Sequence, residues 1–364
     1  MNPRRAAIAA ALVTVVAVVA VVFAVTRSST SVLPGSSGLG QLIPAARARP
    51  APALAGISHF DNTPPLTLSS LKGRVVVVDF WTYTCINCRR TFPFLHALEK
   101  AYGPAGLTIL GVHSPEFGFE KEHANVARAV RELGVTWPVA EDPDMSTWDA
   151  FANQYWPADY LVDRSGKVRF AHFGEGDDTK VEQAVRDLLA EGGTDPGPRI
   201  GQVATSDSPG DPTSDLTPET YLGADRGPTY LAGGKAVKSG AHVVRHDGRQ
   251  DRDIVALEGA FVGGDEYLEL GAGALVRQRF HARDVYATVS PTAGSVLVEV
   301  TLDGKAVPLQ RRGRSLMVRQ GRTYAAVSHQ DLLHLITGPD VVDGALALKA
   351  PAGGVRLFTF TYGA

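Results

Sequence analysis

From Val75 to Phe94 the sequence reads VVVVDFWTYTCINCRRTFPF, and this stretch decides the fold. Four consecutive valines followed by Asp79, Phe80 and Trp81 have neither the period of a helix nor the alternation of a half-exposed strand. A β-branched run of this length, entered from Gly73, is the pattern of a strand covered on both faces in a parallel sheet. Past Thr82 the pattern changes, and residues 88–102 read as a helix, so strand and helix follow one another almost directly. Cys85 and Cys88 stand at that junction. They are the only cysteines in 364 residues, and two cysteines placed at random take this spacing about half a percent of the time. The pair is therefore read as one functional unit.

The position suggests its chemistry. At a helix start, unsatisfied N–H groups and the positive end of the dipole favour a thiolate over a thiol, which makes Cys85 the nucleophile. Arg89 and Arg90 add positive charge. Cys88, one turn on, can reach the Cys85 sulfur and resolve a mixed disulfide by exchange. Zinc is the metal alternative for the same thiols, but it needs two more ligands, and His96 and His113 do not form a compact pair. No metal and no cofactor are expected.

Outward from this stretch, residues 107–112 (LTILGV) read as a second buried strand and 121–133 as an amphipathic helix. Another helix is expected over 147–155. Strands over 160–163 and 167–172 are joined by Arg164-Ser165-Gly166, and a helix over 181–190 closes at Gly192. The order βαβ then αββα specifies an α/β domain over 57–193, a mixed sheet with helices on both faces. Residues 194–215, rich in Gly, Pro, Ser and Asp, read as a linker. Beyond it the period becomes two, as in 296–303 (VLVEVTLD) and 355–362 (VRLFTFTY), so 216–364 is expected to be an all-β sandwich or jelly roll. Phe358, Phe360 and Tyr362 should share one core-facing side of their strand.

Two domains agree with the length at ~150 residues each. With 44% hydrophobic and 20% charged residues and a net charge of -2, the composition is that of a globular protein with no electrostatic affinity for nucleic acid. At the N-terminus, Arg4 and Arg5 precede an uncharged run over 6–25 whose only polar side chain is Thr14. As a helix it spans ~30 Å, the thickness of bilayer hydrocarbon, so residues 1–27 are expected to form a single-pass membrane anchor. The positive flank stays cytoplasmic and the rest lies extracytoplasmic. Val22-Phe23-Ala24 offers an alternative cleavage point, which would release a secreted form. Residues 28–56, dominated by Ser, Gly, Pro and Ala, read as a tether with a reach of ~30 Å, an ordered arm being the alternative.

Asp79-Phe80-Trp81, Cys85, Cys88 and Pro93 together resemble the thioredoxin active site in order and spacing. The run FWTYTCINCRRTFPF, HSPEF after the next strand, and YWPADYLVDRSGKVRFAHFGEG resemble the extracytoplasmic TlpA/DipZ-type branch of that superfamily over 57–193. From Leu216, LTPETYLGADR is similar to the β domain that follows in DipZ-like proteins, described as carbohydrate-binding-module-like. The resemblance implies a thioredoxin-like fold and a thiol-disulfide oxidoreductase acting on protein disulfides or thiols. It favours a reductant kept charged by a separate membrane electron donor. By position it makes Asp79 the buried carboxylate that exchanges a proton with Cys88. Trp156-Pro157 takes the place of the cis-proline that presents backbone to a substrate strand, with Trp81 also facing the substrate. Glu116, in HSPEF, becomes an additional acid or base. Glycan binding by the β domain is not favoured, because all four tryptophans (Trp81, Trp137, Trp148, Trp156) precede residue 194 and a sugar stacks best on tryptophan.

Three rivals use the same residues. A thiol peroxidase would place Thr82 three residues before Cys85, although Val78 stands where its proline belongs. A copper metallochaperone would use both thiols with a distal histidine. An envelope-binding module would leave the work to the β domain.

Overall fold

In a computed structural model of the chain, residues 41–201, 203, 215–226, 238–245 and 251–363 are described. The expected anchor at 1–27 lies outside them, and among the described residues no helix is long and apolar enough to cross a membrane.

The α/β domain is built on a seven-stranded sheet in the order β1-β7-β6-β3-β4-β5-β2. Its strands are β1 (Arg49–Pro50), β2 (His59–Asp61), β3 (Val75–Trp81), β4 (Leu107–His113), β5 (Val139–Glu141), β6 (Ala158–Val162) and β7 (Lys167–Phe173). At its centre β3 runs parallel to β4 and antiparallel to β6, with every residue buried. Val75, Val77 and Trp81 pack beneath α1 (Ile86–Tyr102), α2 (His123–Glu132) and α4 (Asp178–Glu191). Val76, Val78 and Phe80 pack on the other face, where the only α-helix among the described residues is the short α3 (Ser146–Ala150), beside a 3-10 turn over Leu68–Leu71.

That imbalance explains two departures from the sequence reading. One face carries three helices and the other a single turn and a half, so further chain must cover the second. The stretch read as a tether over 28–56 does this from residue 41. Ile43 is buried, its N–H and carbonyl bond to the Arg169 carbonyl and side chain, β1 adds to β7, and Ala48, Ala51, Leu54 and Ile57 lie on the apolar cluster. The helix expected over 147–155 stops early because Ala152 takes a left-handed conformation (φ 52°) and the residue before Pro157 is driven to extended backbone. The start of the expected 194–215 linker is likewise fastened, through Thr194 to Arg164 and Ile200 to Glu182.

Among the described residues the second domain comprises thirteen strands, from β8 (Thr220–Tyr221) to β20 (Val355–Gly363), in antiparallel pairing. In β10 (Val255–Gly263), residues 255–258 pair with β12 (Leu275–Ala282) and residues 259–263 with β9 (Gly240–Val244). The strand thus passes from one sheet into the next. The corner is Gly259, at φ 108°, where a Cβ would stand 3.0 Å from the Ala274 Cα. At the far ends of the path, the chain leading into β16 (Leu316–Arg319) bonds back to β18 (Asp331–Ile336) through Gly313 N–H to the Leu335 carbonyl at 3.0 Å. The two sheets are therefore joined at one side and nearly closed at the other, so the all-β domain, expected as a sandwich or jelly roll, is a near-barrel around one core. Val276, Phe280, Val285, Val300, Leu346 and Phe360 fill that core.

The expected face of Phe358, Phe360 and Tyr362 is broken. The register between β13 (Asp284–Pro291) and β20 (Val355–Gly363) passes from Thr288 opposite Thr359 to Val289 opposite Leu357, leaving Phe358 without a partner. This bulge keeps Leu357 and Phe360 in the β-domain core and turns Phe358 outward, against Phe117 and Phe119 of the α/β domain with ring centroids 5.2 and 4.8 Å away.

The corner can be tested against an ordinary turn glycine, Gly304, which has φ 72° and open space around its would-be Cβ. Gly304→Ala should cost about 1 kcal/mol in urea unfolding and Gly259→Ala at least about twice that, because it adds a backbone collision to the strained φ. Equal costs would remove the corner role.

Candidate active site

The chain leaves β3 at Trp81 and reaches the first turn of α1 within five residues, so Cys85 becomes the N-cap. Its backbone is extended (φ -77°, ψ 112°), and its sulfur accepts the Cys88 N–H at 3.2 Å, the role an oxygen plays in most caps. Cys85 is partly exposed and Cys88 fully buried. Burial raises the Cys88 thiol well above its usual range, and the adjoining Cys85 sulfur and Asp79 carboxyl push the same way. The two sulfurs are thus unequal: one is reachable, the other is held protonated within one turn of it.

Asp79 is 1% exposed, on the α1 side of β3, and its Oδ2 has no hydrogen-bond partner among the described residues. Burial first, and then Asp159, raise its carboxyl well above the usual carboxylate range. Asp159 sits directly opposite Asp79 across the β3–β6 pairing, and His172 directly opposite Asp159 across β6–β7. Cross-strand partners share a face, so Asp79, Asp159 and His172 form one row leading from beneath the thiols toward the start of α4. The Asp159 Oδ1 and His172 Nε2 are also buried without partners. The row was invisible in the sequence because it depends on register.

The Trp156–Pro157 peptide is cis. Since Phe80 pairs with Ala158, Pro157 lies at the same end of the sheet as the loop carrying Cys85. Trp156 stacks on Trp148 and donates its Nε1–H to the Ser114 carbonyl at 3.0 Å, tying the proline loop to the loop after β4. Two expectations need correction. Trp81, placed against the substrate by resemblance, is completely buried, edge-on to Phe92 and His113, and shapes the floor of the site instead. Glu116, offered as an acid or base, has its carboxylate committed to the β domain, accepting from Tyr221 Oη at 2.7 Å and pairing with Arg226 at 2.9 Å. The carboxylate that supports the thiol loop is Glu120, 1% exposed, which accepts from the N–H and hydroxyl of Thr84 and from the N–H groups of Glu116 and Phe117. Its sequence signal, one of two acids beside aromatics in FGFEKE, is too slight to single it out. His113 is fully buried and stacked on Tyr83, and burial pushes it down to about 3, so it stays neutral.

The β domain forms a wall of this site. Ile86, between the two cysteines, packs with Tyr286 and Leu332. Arg89 reaches Asp331 at 2.7 Å, and Arg90 lies over the Tyr286 ring while pairing with Glu175.

The acidic row yields a pH dependence. Burial and Asp178 push the Asp159 carboxyl up to about 7. A carboxyl that holds its proton longer in the folded chain stabilises fully below its unfolded value near 4, and this stabilisation is lost as the pH rises through about 7. Asp159→Asn should flatten the fall in unfolding free energy across that window and leave the protein about 1–2 kcal/mol more stable at pH 7. Denaturant titrations from pH 4 to 8 with an unchanged slope would contradict this.

Residues 43–188 match the Redoxin family model, and residues 217–363 match the family described as Thioredoxin like C-terminal domain. Protein DipZ of Mycobacterium tuberculosis and of Mycobacterium bovis is 36% identical over 318 residues, which is 86% of this chain and 43% of DipZ. The chain thus spans under half the length of these relatives. Thiol-disulfide oxidoreductase YkuV of Bacillus subtilis is 26% identical over 143 residues, covering 39% of this chain and 96% of YkuV. A Redoxin domain that holds the paired cysteines is thus followed along this chain by a Thioredoxin like C-terminal domain, and the similarity to DipZ runs through both.

Proposed function

We propose that this chain is an extracytoplasmic, membrane-anchored oxidoreductase that reduces disulfides in envelope or secreted proteins through Cys85 and Cys88. The observation that carries the reading is the inequality of the sulfurs: a partly exposed Cys85 at the helix cap and a buried Cys88 whose N–H touches it. In the reducing direction, Cys85 sulfur attacks a client disulfide, one client sulfur leaves as thiolate, and a mixed disulfide remains. Cys88 then gives its proton to the Asp79 carboxylate and attacks the Cys85 sulfur. The second client thiolate departs, and the two electrons delivered leave Cys85 and Cys88 joined. Asp79 serves because its raised affinity lets it hold that proton in a place water does not reach. A separate membrane donor of thiol electrons would restore the dithiol.

The wall of Ile86, Tyr286 and Leu332 supports a positioning role for the β domain. One of its open cavities, about 530 Å³, is lined by Arg277, Glu299, Thr301, Arg322 and Lys349 among others and by no aromatic ring, and another of about 590 Å³ offers Tyr324 and no tryptophan, which supports leaving glycan binding aside. The peroxidase reading loses support because Thr82 is fully buried, its hydroxyl 3.4 Å from His113 Nε2.

Limiting alkylation of the reduced protein should label Cys85 first, and Cys88→Ser should accumulate mixed disulfides between Cys85 and clients. Peptide mapping that finds Cys88 labelled first would overturn the assignment of roles. Loosening the wall by Leu332→Ala should expose the motif and speed Cys85 alkylation by about threefold or more, whereas an unchanged rate would detach the β domain from the site.

A further inference from the structure

Away from the thiols, three elements bring two histidines and a buried glutamate together. His59 of β2 lies directly opposite Glu141 of β5, and His123 is the first residue of α2. His123 Nδ1 is 2.6 Å from one Glu141 oxygen and His59 Nδ1 is 3.8 Å from the other. A ligating atom from each of the three lies within 4.8 Å of the others. The Glu141 side chain is 3% exposed, while the rings are 51% and 45% exposed, so a carboxylate is fixed at the base of a cluster whose upper side is open to water.

Asp61 sharpens the case. It is two residues beyond His59 and so on the same side of β2, and its Oδ2 is buried without a hydrogen-bond partner. Two carboxyls and two imidazoles thus converge from three elements, and between them they supply oxygens and lone pairs for a cation.

We propose that His59, His123 and Glu141 form a binding site for a divalent late first-row cation of the zinc class, with Asp61 as the outer carboxyl that supports it. Two imidazoles and one carboxylate with an open side suit Zn²⁺ with a bound water, whereas Mg²⁺ and Ca²⁺ demand oxygen ligands throughout. The cation takes the place of the proton between His123 and Glu141. The rings stack at 4.0 Å with 11° between planes, so their lone pairs run side by side; one half-exposed ring turns about its Cβ–Cγ bond to bring both onto the ion. Neither cysteine belongs to the set, so the inference stands apart from the disulfide chemistry.

The test uses the untagged chain carrying Cys85→Ser and Cys88→Ser, which removes the thiols as competing ligands, titrated with ZnCl₂ or MgCl₂ by calorimetry at pH 7.5. One Zn²⁺ should bind per chain with a Kd of about 1 µM or tighter, and Mg²⁺ should not bind. His59→Ala and His123→Ala, both at half-exposed positions that leave the fold intact, should each weaken Zn²⁺ at least about tenfold, and His96→Ala should leave it unchanged. Absence of saturable binding up to ~100 µM, or binding that both histidine variants retain, would show the cluster to be a hydrogen-bonded patch and overturn the proposal.

Discussion

No residue of β3 faces solvent, and the arrangement of the site follows from that constraint. A strand covered on both sides must carry apolar side chains throughout, and a carboxyl placed in it at Asp79 has its proton affinity raised by burial. The cover on the α1 side must begin almost as soon as the strand ends, which leaves four residues, 82–85, for the exit. Those residues cannot satisfy the first turn of α1 by themselves. The Cys85 sulfur takes one N–H, and Glu120 braces the loop through Thr84. Cys88, one turn in, is then driven beneath the helix toward Asp79. Reachable sulfur, buried sulfur and a carboxyl of raised proton affinity are three consequences of one packing requirement.

The β domain adds a second wall by two kinds of contact. Apolar ones, Ile86 against Tyr286 and Leu332 and the pair Phe117 and Phe119 against Phe358, remove aromatic and aliphatic surface from water. Charged ones, Arg89 with Asp331 and Glu116 with Arg226, contribute less to binding energy than to register. Both kinds bear on the two loops that border the thiols, so movement of the β domain would change access to Cys85 before it changed anything in the α/β core.

Much of this was legible in the residues, and the boundary between legible and hidden is physical. Local features were readable: the unbroken valine run, the CxxC spacing at a strand-to-helix junction, the hairpin at Arg164-Ser165-Gly166. Features that depend on which strands pair were not. Asp159 reads as one acid in WPADYLV until the β3–β6 register sets it against Asp79. Phe358 follows the period-two rule on paper and breaks it through a bulge specified by its neighbour β13. The arm from residue 41 looks like a tether because its Ala- and Pro-rich run has no helical or strand period, and it is ordered because the face it covers has so little helix. Glu120 carries no comparable local signal, and only the fold shows it buried with four donors around its carboxylate.

The account's central claim is that Cys85 and Cys88 form one two-electron couple. It is tested most directly by equilibrating the protein in glutathione buffers of graded composition, trapping with acid, and weighing the intact chain. The account predicts a single transition in which both cysteines lose their hydrogens together, between dithiol and internal disulfide, at a potential as reducing as ordinary thioredoxin-like reductants or more so. Persistence of two free thiols under oxidising buffer, or accumulation of glutathione on Cys85 without closure by Cys88, would contradict it.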